Sequence, residues 1–361
     1  MDKGVSSLLI KKNCINKESD LFCKKFINSK NIPKFIFGIN TYAKDIVDLV
    51  SIDGFIDDFT DELEYLGKKI YRIDTVPSNA LVLVTSGGRI KSAMKRVKSF
   101  HFECLDYFSF LKYSNLNIKD VVFNEGFKKE FDANYSKYEY IYGLLQDGIS
   151  QEQFISLVNF RYSYDIQHLN NFSHLEKWQY FEDFIPINSD ECFLDVGSYD
   201  GYTSEEFLKF SPDYKEIHVF EPDPINMTRV NQRLKDYQNI FFHKVGLSNK
   251  RETLRFERAG SESKISNSGL SKIKVDRLDD ILNINATFIK IDIEGAELNA
   301  IEGMTNTIQK HHPKIAISVY HKVGDFWRIP DLILNIRSDY NIYLRHYTES
   351  IYETVMFFIP K

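Results

Sequence analysis

Two groups of carboxylates mark the places in this 361-residue chain where chemistry could be done. In the first, the run Phe193-Leu-Asp-Val-Gly-Ser-Tyr-Asp-Gly-Tyr-Thr203 puts Asp195 at the end of an apolar stretch, ahead of Gly197 and Gly201. Glycines at such a turn let a ligand approach the backbone where a strand becomes a helix. The spacing is not the GxGxxG of dinucleotide binders, and an acid inside the turn would repel a pyrophosphate. A ligand carrying an ammonium and a cationic sulfonium is favoured there, which is the charge pattern of S-adenosyl-L-methionine (SAM). Asp195, Gly197, Ser198, Tyr199, Asp200, Gly201 and Thr203 are the candidate contacts from this turn. The next apolar run ends at Val219-Phe-Glu-Pro-Asp223, where Glu221 is placed to accept ribose hydroxyls, flanked by Pro222 and Asp223. Val245 and Gly246 follow a third run, on a loop expected to reach the adenine. The plainer alternative is that Asp195 and Glu221 only cap loops of an unrelated α/β fold.

The second group lies in Phe288-Ile-Lys-Ile-Asp-Ile-Glu-Gly-Ala-Glu297. A four-residue apolar strand there delivers Asp292, Glu294 and Glu297 to the carboxyl edge of a sheet, where open α/β folds bind ligands. Ser318-Val-Tyr-His-Lys322 ends a later strand and places Tyr320 and His321 beside Asp292 if the two strands are neighbours. Methyl transfer from a sulfonium is an in-line displacement that needs an aligned nucleophile and somewhere for its proton to go. The ordinary pKa of a histidine suits a base near neutrality, so His321 is the candidate base. It could equally bind substrate or support a loop, with Asp292 orienting His321 or a substrate hydroxyl. Gly324-Asp-Phe-Trp-Arg328 offers either substrate contacts or helix packing, and Gly260–Gly269 reads as a mobile hairpin near the site.

The segments DVGSYDGYTS, FEPDP, Leu278-Asp-Asp280 and IDIEGAE together resemble the FkbM family of methyltransferases, whose hallmark is an I-D-[IV]-E-G-A-E segment after strand four. The resemblance reaches back to Gln179-Tyr-Phe-Glu182 and fades before about Asp147. It implies SAM as cofactor, S-adenosyl-L-homocysteine as product, and O-methylation, commonly of sugars or of polyketide and peptide products. By matching position, Asp195, Gly197, Asp200, Gly201 and Glu221 take the cofactor, while Asp292, Glu294 and Glu297 border the transfer site. Some sugar methyltransferases of related fold hold magnesium with an acid after strand four and two acids after strand five. Here Tyr-His-Lys follows strand five, so Mg2+ stays open and no metal ligands are assigned.

The elements that must position these residues read as a βα series after Pro186. Apolar runs at Cys192–Val196, Ile217–Phe220, Ile240–Lys244, Phe288–Ile291, Ile315–Val319, Asn341–Arg345 and Thr354–Ile359 alternate with helical patterns at Thr203–Phe210, Ile225–Leu234, Glu297–Gln309 and Pro330–Arg337. No helix fits between the last two strands, so they are expected to form an antiparallel hairpin on a parallel sheet. The fold class is α/β: a Rossmann-like class I methyltransferase with a seven-stranded sheet and an antiparallel last strand, plus a smaller N-terminal α/β domain and a helical linker. The expected divisions are an arm at 1–30, a small Rossmann-like domain at 31–115, helices at 116–185 and the methyltransferase domain at 186–361.

The first domain rests on short apolar runs at Lys34–Gly38, Gly54–Asp58, Lys69–Ile73 and Ala80–Val84. Phe35-Ile-Phe-Gly-Ile-Asn-Thr-Tyr-Ala-Lys-Asp-Ile, with Gly54–Asp58, Gly67 and Val76-Pro77, is similar to the nucleotide-sugar-binding domain of bacterial sugar acetyltransferases. Only Gly38 remains of its glycine-rich turn, which weakens phosphate cradling. A structural or dimerising role weighs equally, and Ser86-Gly-Gly-Arg-Ile90 either meets a phosphate or is an ordinary turn.

A net charge of −5, from 51 acidic and 46 basic residues, argues against a nucleic-acid partner. The 4 cysteines are scattered without metal-ligand spacing. No run approaches the length of a membrane span or a signal peptide, which makes a cytoplasmic protein the expectation. The reading is therefore a SAM-dependent O-methyltransferase acting on a sugar, nucleotide-activated, for a capsule, surface polysaccharide or glycolipid. A homodimer is open. The alternatives are a non-catalytic nucleotide-sugar-binding protein that keeps the fold, and an NAD-linked enzyme, disfavoured by the missing glycines after Gly38.

Overall fold

The computed structural model describes residue 8 and residues 16–175, 179–257, 264–265 and 269–361. The chain divides into two compact units, each discontinuous in sequence. One comprises Met1–Lys129, Phe154–Glu176 and Tyr347–Tyr352; the other comprises Glu130–Gln153, Lys177–His346 and Glu353–Lys361.

In the first unit, helix α1 (Lys17–Asn28) precedes β1 (Lys34–Phe37), α2 (Thr41–Val47), β2 (Gly54–Ile56), β3 (Glu64–Tyr65), β4 (Lys68–Tyr71), β5 (Leu81–Val84), α3 (Ile90–Ser99), β6 (Glu103–Asp106) and α4 (Tyr107–Tyr113). The sheet order is β3-β4-β2-β1-β5-β6, parallel except where β3 returns against β4. Strand order reverses beside β1, which is the doubly wound plan. β1, β2 and β5 are buried at every residue, as short continuous apolar runs in a covered parallel sheet require. The N-terminus of α3 is capped within this unit. Glu349 accepts hydrogen bonds from Ser92 N at 2.8 Å and Ser92 Oγ at 2.7 Å. Glu349 N also donates to Gly88 O at 3.0 Å, tying the turn Ser86–Ile90 to the same residue.

Helix α5 (Phe127–Leu144), which kinks at Asn134, and helix α6 (Gly148–Ser163) follow. These are the helices expected between residues 116 and 185; beyond Ser163 the described chain has only a short 3-10 turn before the next strand.

The second unit carries β7 (Cys192–Val196), α7 (Tyr202–Phe210), β8 (Glu216–Phe220), α8 (Pro224–Leu234), β9 (Ile240–His243), β10 (Gly246–Leu247), β11 (Glu252–Glu257), β12 (Lys264–Ile265), β13 (Ser271–Asp276), α9 (Leu278–Ile281), β14 (Phe288–Ile291), α10 (Glu297–Gly303), α11 (Thr305–His311), β15 (Lys314–Ser318), α12 (Asp325–Ile336), β16 (Tyr340–His346) and β17 (Thr354–Pro360). Its main sheet has seven strands in the order β16-β17-β15-β14-β7-β8-β9. β17 runs antiparallel to both β15 and β16, and the other pairs are parallel. This is the Rossmann-like class I methyltransferase fold, with all seven strands where the apolar runs placed them. Phe193, Phe207 and Phe288 pack together between the sheet and α7, with ring centroids of Phe193 and Phe207 4.2 Å apart.

A second, four-stranded sheet, β10-β13-β11-β12, was not expected. Its strands alternate charged and apolar residues, as in Lys272-Ile-Lys-Val275, and such half-exposed strands lack the solid apolar run that revealed the others. Part of the hairpin expected at Gly260–Gly269 forms β12; residues 260–263 and 266–268 lie outside the described residues. The helix expected over Glu297–Gln309 is two, broken at Met304. Asp279, from the Leu278-Asp-Asp280 segment, accepts hydrogen bonds from Asn306 N at 2.8 Å and Thr307 N at 3.0 Å and so starts α11.

Candidate active site

β7, β14 and β15 lie side by side, and their carboxyl ends bring the sequence-marked acids together. Gly197 leaves β7 with φ +81°, and a Cβ there would stand 1.9 Å from the carbonyl oxygen of Asp292. Glycine is therefore required twice, by the left-handed backbone and by the contact. The turn 197–203 is pressed against the acid-bearing end of β14, and Asp292 N donates to Val196 O at 3.0 Å.

Asp195 lies beneath this turn and not at its rim. Its side chain shares the α7-facing side of β7 with Phe193, opposite Lys290 on β14. Oδ2 accepts from Ser198 Oγ at 2.8 Å and Ser204 Oγ at 2.7 Å, and Oδ1 is 3.2 Å from Lys290 Nζ. With 0% exposure, the side chain is enclosed by these partners. Glu221 follows β8, accepting from Tyr199 N at 3.0 Å and Asp223 N at 2.8 Å, and burial pushes its carboxyl up to about 7. Pro222 and Gly246 adjoin, a Cβ on Gly246 meeting Pro222 at 3.5 Å, and Val245 N closes the approach by donating to His243 O. Asp223 caps α8. Tyr199 has φ +57° with Arg229 over its ring. Asp200 pairs with Arg233 at 2.7 Å, while Gly201 opens α7 and Thr203 lies in its first turn.

At the other side of the site, His321 is fully buried by side chain among three carboxylates. Nδ1 is 2.9 Å from Glu297 Oε1; Nε2 is 3.5 Å from Asp292 Oδ1 and 3.5 Å from Glu294 Oε2. Burial alone would lower its pKa, but Glu297, Asp292 and Glu294 outweigh burial and raise it to about 10. At neutral pH the ring is an imidazolium, a different resting state from the neutral base that an ordinary histidine would supply. Burial pushes Glu294 up to about 8, so its neutral form dominates at pH 7. Glu297 stays ionised: burial opposes this, yet His321 and the amides of Ile293 and Gly295 hold it low. Asp292 Oδ1 accepts no hydrogen bond among the described residues. Asp292, Glu297 and His321 each offer a ligand atom within 4.8 Å of the others. These O and N donors are of a kind that suits a divalent cation.

Three residues complete the site that spacing did not single out. Tyr180 donates its hydroxyl to Asp292 Oδ2 at 2.7 Å. Gln179 Nε2 donates to Tyr180 Oη at 2.9 Å and to Glu353 Oε2 at 2.6 Å. Tyr320 Oη donates to Glu353 Oε1 at 3.1 Å, its ring lying against His321. Tyr180, Glu294 and Glu353 all have positive φ, a strain that gathers at functional sites. Gln179 and Tyr180 precede β7 and Glu353 precedes β17, so no periodicity marks them. Trp327, by contrast, is tied by its indole N–H to Glu130 at 2.8 Å, as helix packing would have it.

Residues 195–348 match the model of the methyltransferase FkbM domain. This segment is an FkbM methyltransferase domain. The fold extends beyond it: a crystal structure of methyltransferase FkbM from Methylobacillus flagellatus KT is similar over 95% of this chain and 94% of that chain, with TM-score 0.75 and 21% identity. An rRNA methylase from Streptococcus thermophilus (15% identity, 48% of this chain, 90% of that chain, TM-score 0.32) and fibrillarin from Aeropyrum pernix with bound SAM (12%, 49%, 70%, 0.32) also match, too distantly to bear on this chain. No curated protein matches the sequence significantly. Gln179, Tyr180 and Glu353 thus lie just outside the FkbM segment, on either side of it. Among the described residues, no helix is long and apolar enough to cross a membrane.

Proposed function

We propose that this FkbM methyltransferase uses SAM to methylate a hydroxyl of a sugar, nucleotide-activated, in the biosynthesis of a polysaccharide or glycolipid. The observation that carries this reading is the pairing of a glycine turn pressed on Asp292 with an electronegative cluster at the same sheet edge. When bound, SAM supplies a methyl group on a sulfonium whose sulfur leaves neutral, as S-adenosyl-L-homocysteine. The turn Gly197–Thr203, with Glu221, Pro222 and Asp223, would hold the ribose side, and Val245 and Gly246 the adenine.

Asp292 is the group we assign to the acceptor. Tyr180 holds Oδ2, and Oδ1, 3.5 Å from His321 Nε2, is left to take a hydrogen bond from the attacking hydroxyl and then its proton. His321, as imidazolium, and neutral Glu294 fix that geometry, and the ionised Glu297 behind Asp292 favours the positive charge that develops on the attacking oxygen. Tyr320 and Glu353 would border the acceptor. A divalent cation on Asp292, Glu297 and His321 would bind the acceptor oxygen instead. Supplementing metal-stripped enzyme with Mg2+ separates the two.

Titration calorimetry with SAM and S-adenosyl-L-homocysteine, followed by mass spectrometry of nucleotide-sugars for the gain of one methyl, tests the reading. Binding that weakens at least ~10-fold in Glu221→Ala is expected, the worth of two hydrogen bonds of about 1 kcal/mol each. No binding by the wild type would overturn it. The doubly wound order of the first unit, with Gly38 at φ +109° beside the strand-order reversal, favours a second reading in which that unit binds a nucleotide-sugar without catalysis.

A further inference from the structure

The amino ends of β7 and β8, the opposite edge of the sheet from Asp292 and His321, hold a second cluster. Cys192 and Glu216 face each other across the ladder, and His218 follows Glu216 on the same side of β8. The Cys192 sulfur, a Glu216 carboxylate oxygen and a His218 ring nitrogen all lie within 4.8 Å of one another. Cys192 is 1% exposed and His218 4%.

The partners of His218 set its orientation. Its Nδ1 is 3.0 Å from Nε2 of His243 on β9, and Phe241 stacks on the ring at 4.8 Å. Its Nε2 is buried with no hydrogen bond; the nearest carboxylate oxygen, Glu216 Oε2, is 3.7 Å away, beyond hydrogen-bond reach. When Nδ1–H donates to His243, Nε2 carries a bare electron pair directed at a thiol and a carboxylate. That arrangement wants a cation. An imidazole whose far N–H is held by a neighbour is also how metal-bound histidines are set.

We propose that Cys192, Glu216 and His218 form a zinc site, with water as the fourth ligand. Sulfur, imidazole and carboxylate together suit zinc and not magnesium or calcium, which take oxygen. On binding, the Cys192 S–H bond breaks, an S–Zn bond forms, the proton passes to solvent and no electron moves. The ion would tie β7 to β8, and through His243 to β9, at the edge where the sheet ends.

The test uses the full chain stripped of metal and titrated with Zn2+ and Co2+. One thiolate-bound equivalent per chain is expected, with the Co2+ form showing a thiolate-to-cobalt charge-transfer band and tetrahedral d–d bands, features that an ion on Asp292, Glu297 and His321 would not give. Cys192→Ser should abolish the charge-transfer band and weaken zinc binding more than ~100-fold, and His243→Ala should weaken it roughly 10–100-fold. Cys104→Ser should change neither. Circular dichroism checks folding, and if Cys192→Ser misfolds, His218→Gln must show the same loss of zinc. A wild type that takes up no stoichiometric zinc, or a Cys192→Ser protein that keeps the band, overturns the site. SAM affinity is a separate measurement, so this outcome is independent of the methyltransferase reading.

Discussion

His321 sits where burial and charge oppose each other, and charge prevails. Folding takes its imidazole from an ordinary 6.5 up to about 10. The folded protein thus keeps a proton that the unfolded chain releases between those values. The stabilisation from His321 is complete below about pH 6.5 and lost as pH climbs through about 10. Glu294, lifted by burial from 4.5 to about 8, acts in the same direction because the folded state again holds the extra proton. Melting temperature is therefore expected to fall from pH 6.5 to 10. His321→Gln should melt lower at pH 6.5, because it leaves Glu297 buried without its cation, and should show a shallower slope. An unchanged slope would remove His321 as its source. Tyr180 acts on the same cluster through Asp292. Tyr180→Phe should leave SAM affinity within a few-fold and slow methyl transfer about 10-fold or more, the worth of a hydrogen bond to a charged acceptor. A matched loss of SAM affinity would point to a collapsed site instead.

At the scale of elements, the contact between the turn after β7 and the end of β14 leaves no room for a side chain. Gly197→Ala must accommodate both a strained φ and a Cβ 1.9 Å from a backbone oxygen. A loss of more than ~2 kcal/mol in stability is expected, with SAM binding lost alongside. Denaturant titration and calorimetry read the two. Gly143, near the end of α5, is the contrasting case. A Cβ there meets nothing within 4 Å, so Gly143→Ala should gain ~0.4–1 kcal/mol by restricting the unfolded chain.

For the whole molecule, interleaving of the two units governs what can be cut. The second unit includes Glu130–Gln153 as well as residues ahead of Pro186. Arg345 on β16 pairs with Asp147 at 2.7 Å, Tyr138 donates to Val323 O at 2.7 Å, and Phe181 packs on Phe210 with centroids 4.9 Å apart. We propose the boundary near 186 as one to test by expressing 186–361 alone. That fragment lacks Tyr180 and exposes these partners, and the expected outcome is weaker SAM binding and a lower melting temperature than the full chain. Equal behaviour would make 186–361 a self-sufficient domain.

The seven strands of the main sheet were legible because each is a short continuous apolar run, and burial on both faces leaves that sequence no alternative. That Asp292, Glu294 and Glu297 follow the end of a sheet strand was legible for a related reason: they come directly after the apolar run Phe288–Ile291, which forms β14. The four-stranded sheet was not, because Lys272-Ile-Lys-Val275 alternates as exposed strands do and resembles a charged loop. Glu353 was not, and Gln179 and Tyr180 entered only as the far end of a resemblance, without a role: Tyr180 and Glu353 have positive φ and none of the three carries a periodicity. Residue types and their order determined the fold class and the identity of the acids. Tertiary structure alone decided their states of charge, because the proton affinity of His321 depends on three carboxylates from distant turns and on exclusion of water, and neither is a property of local sequence.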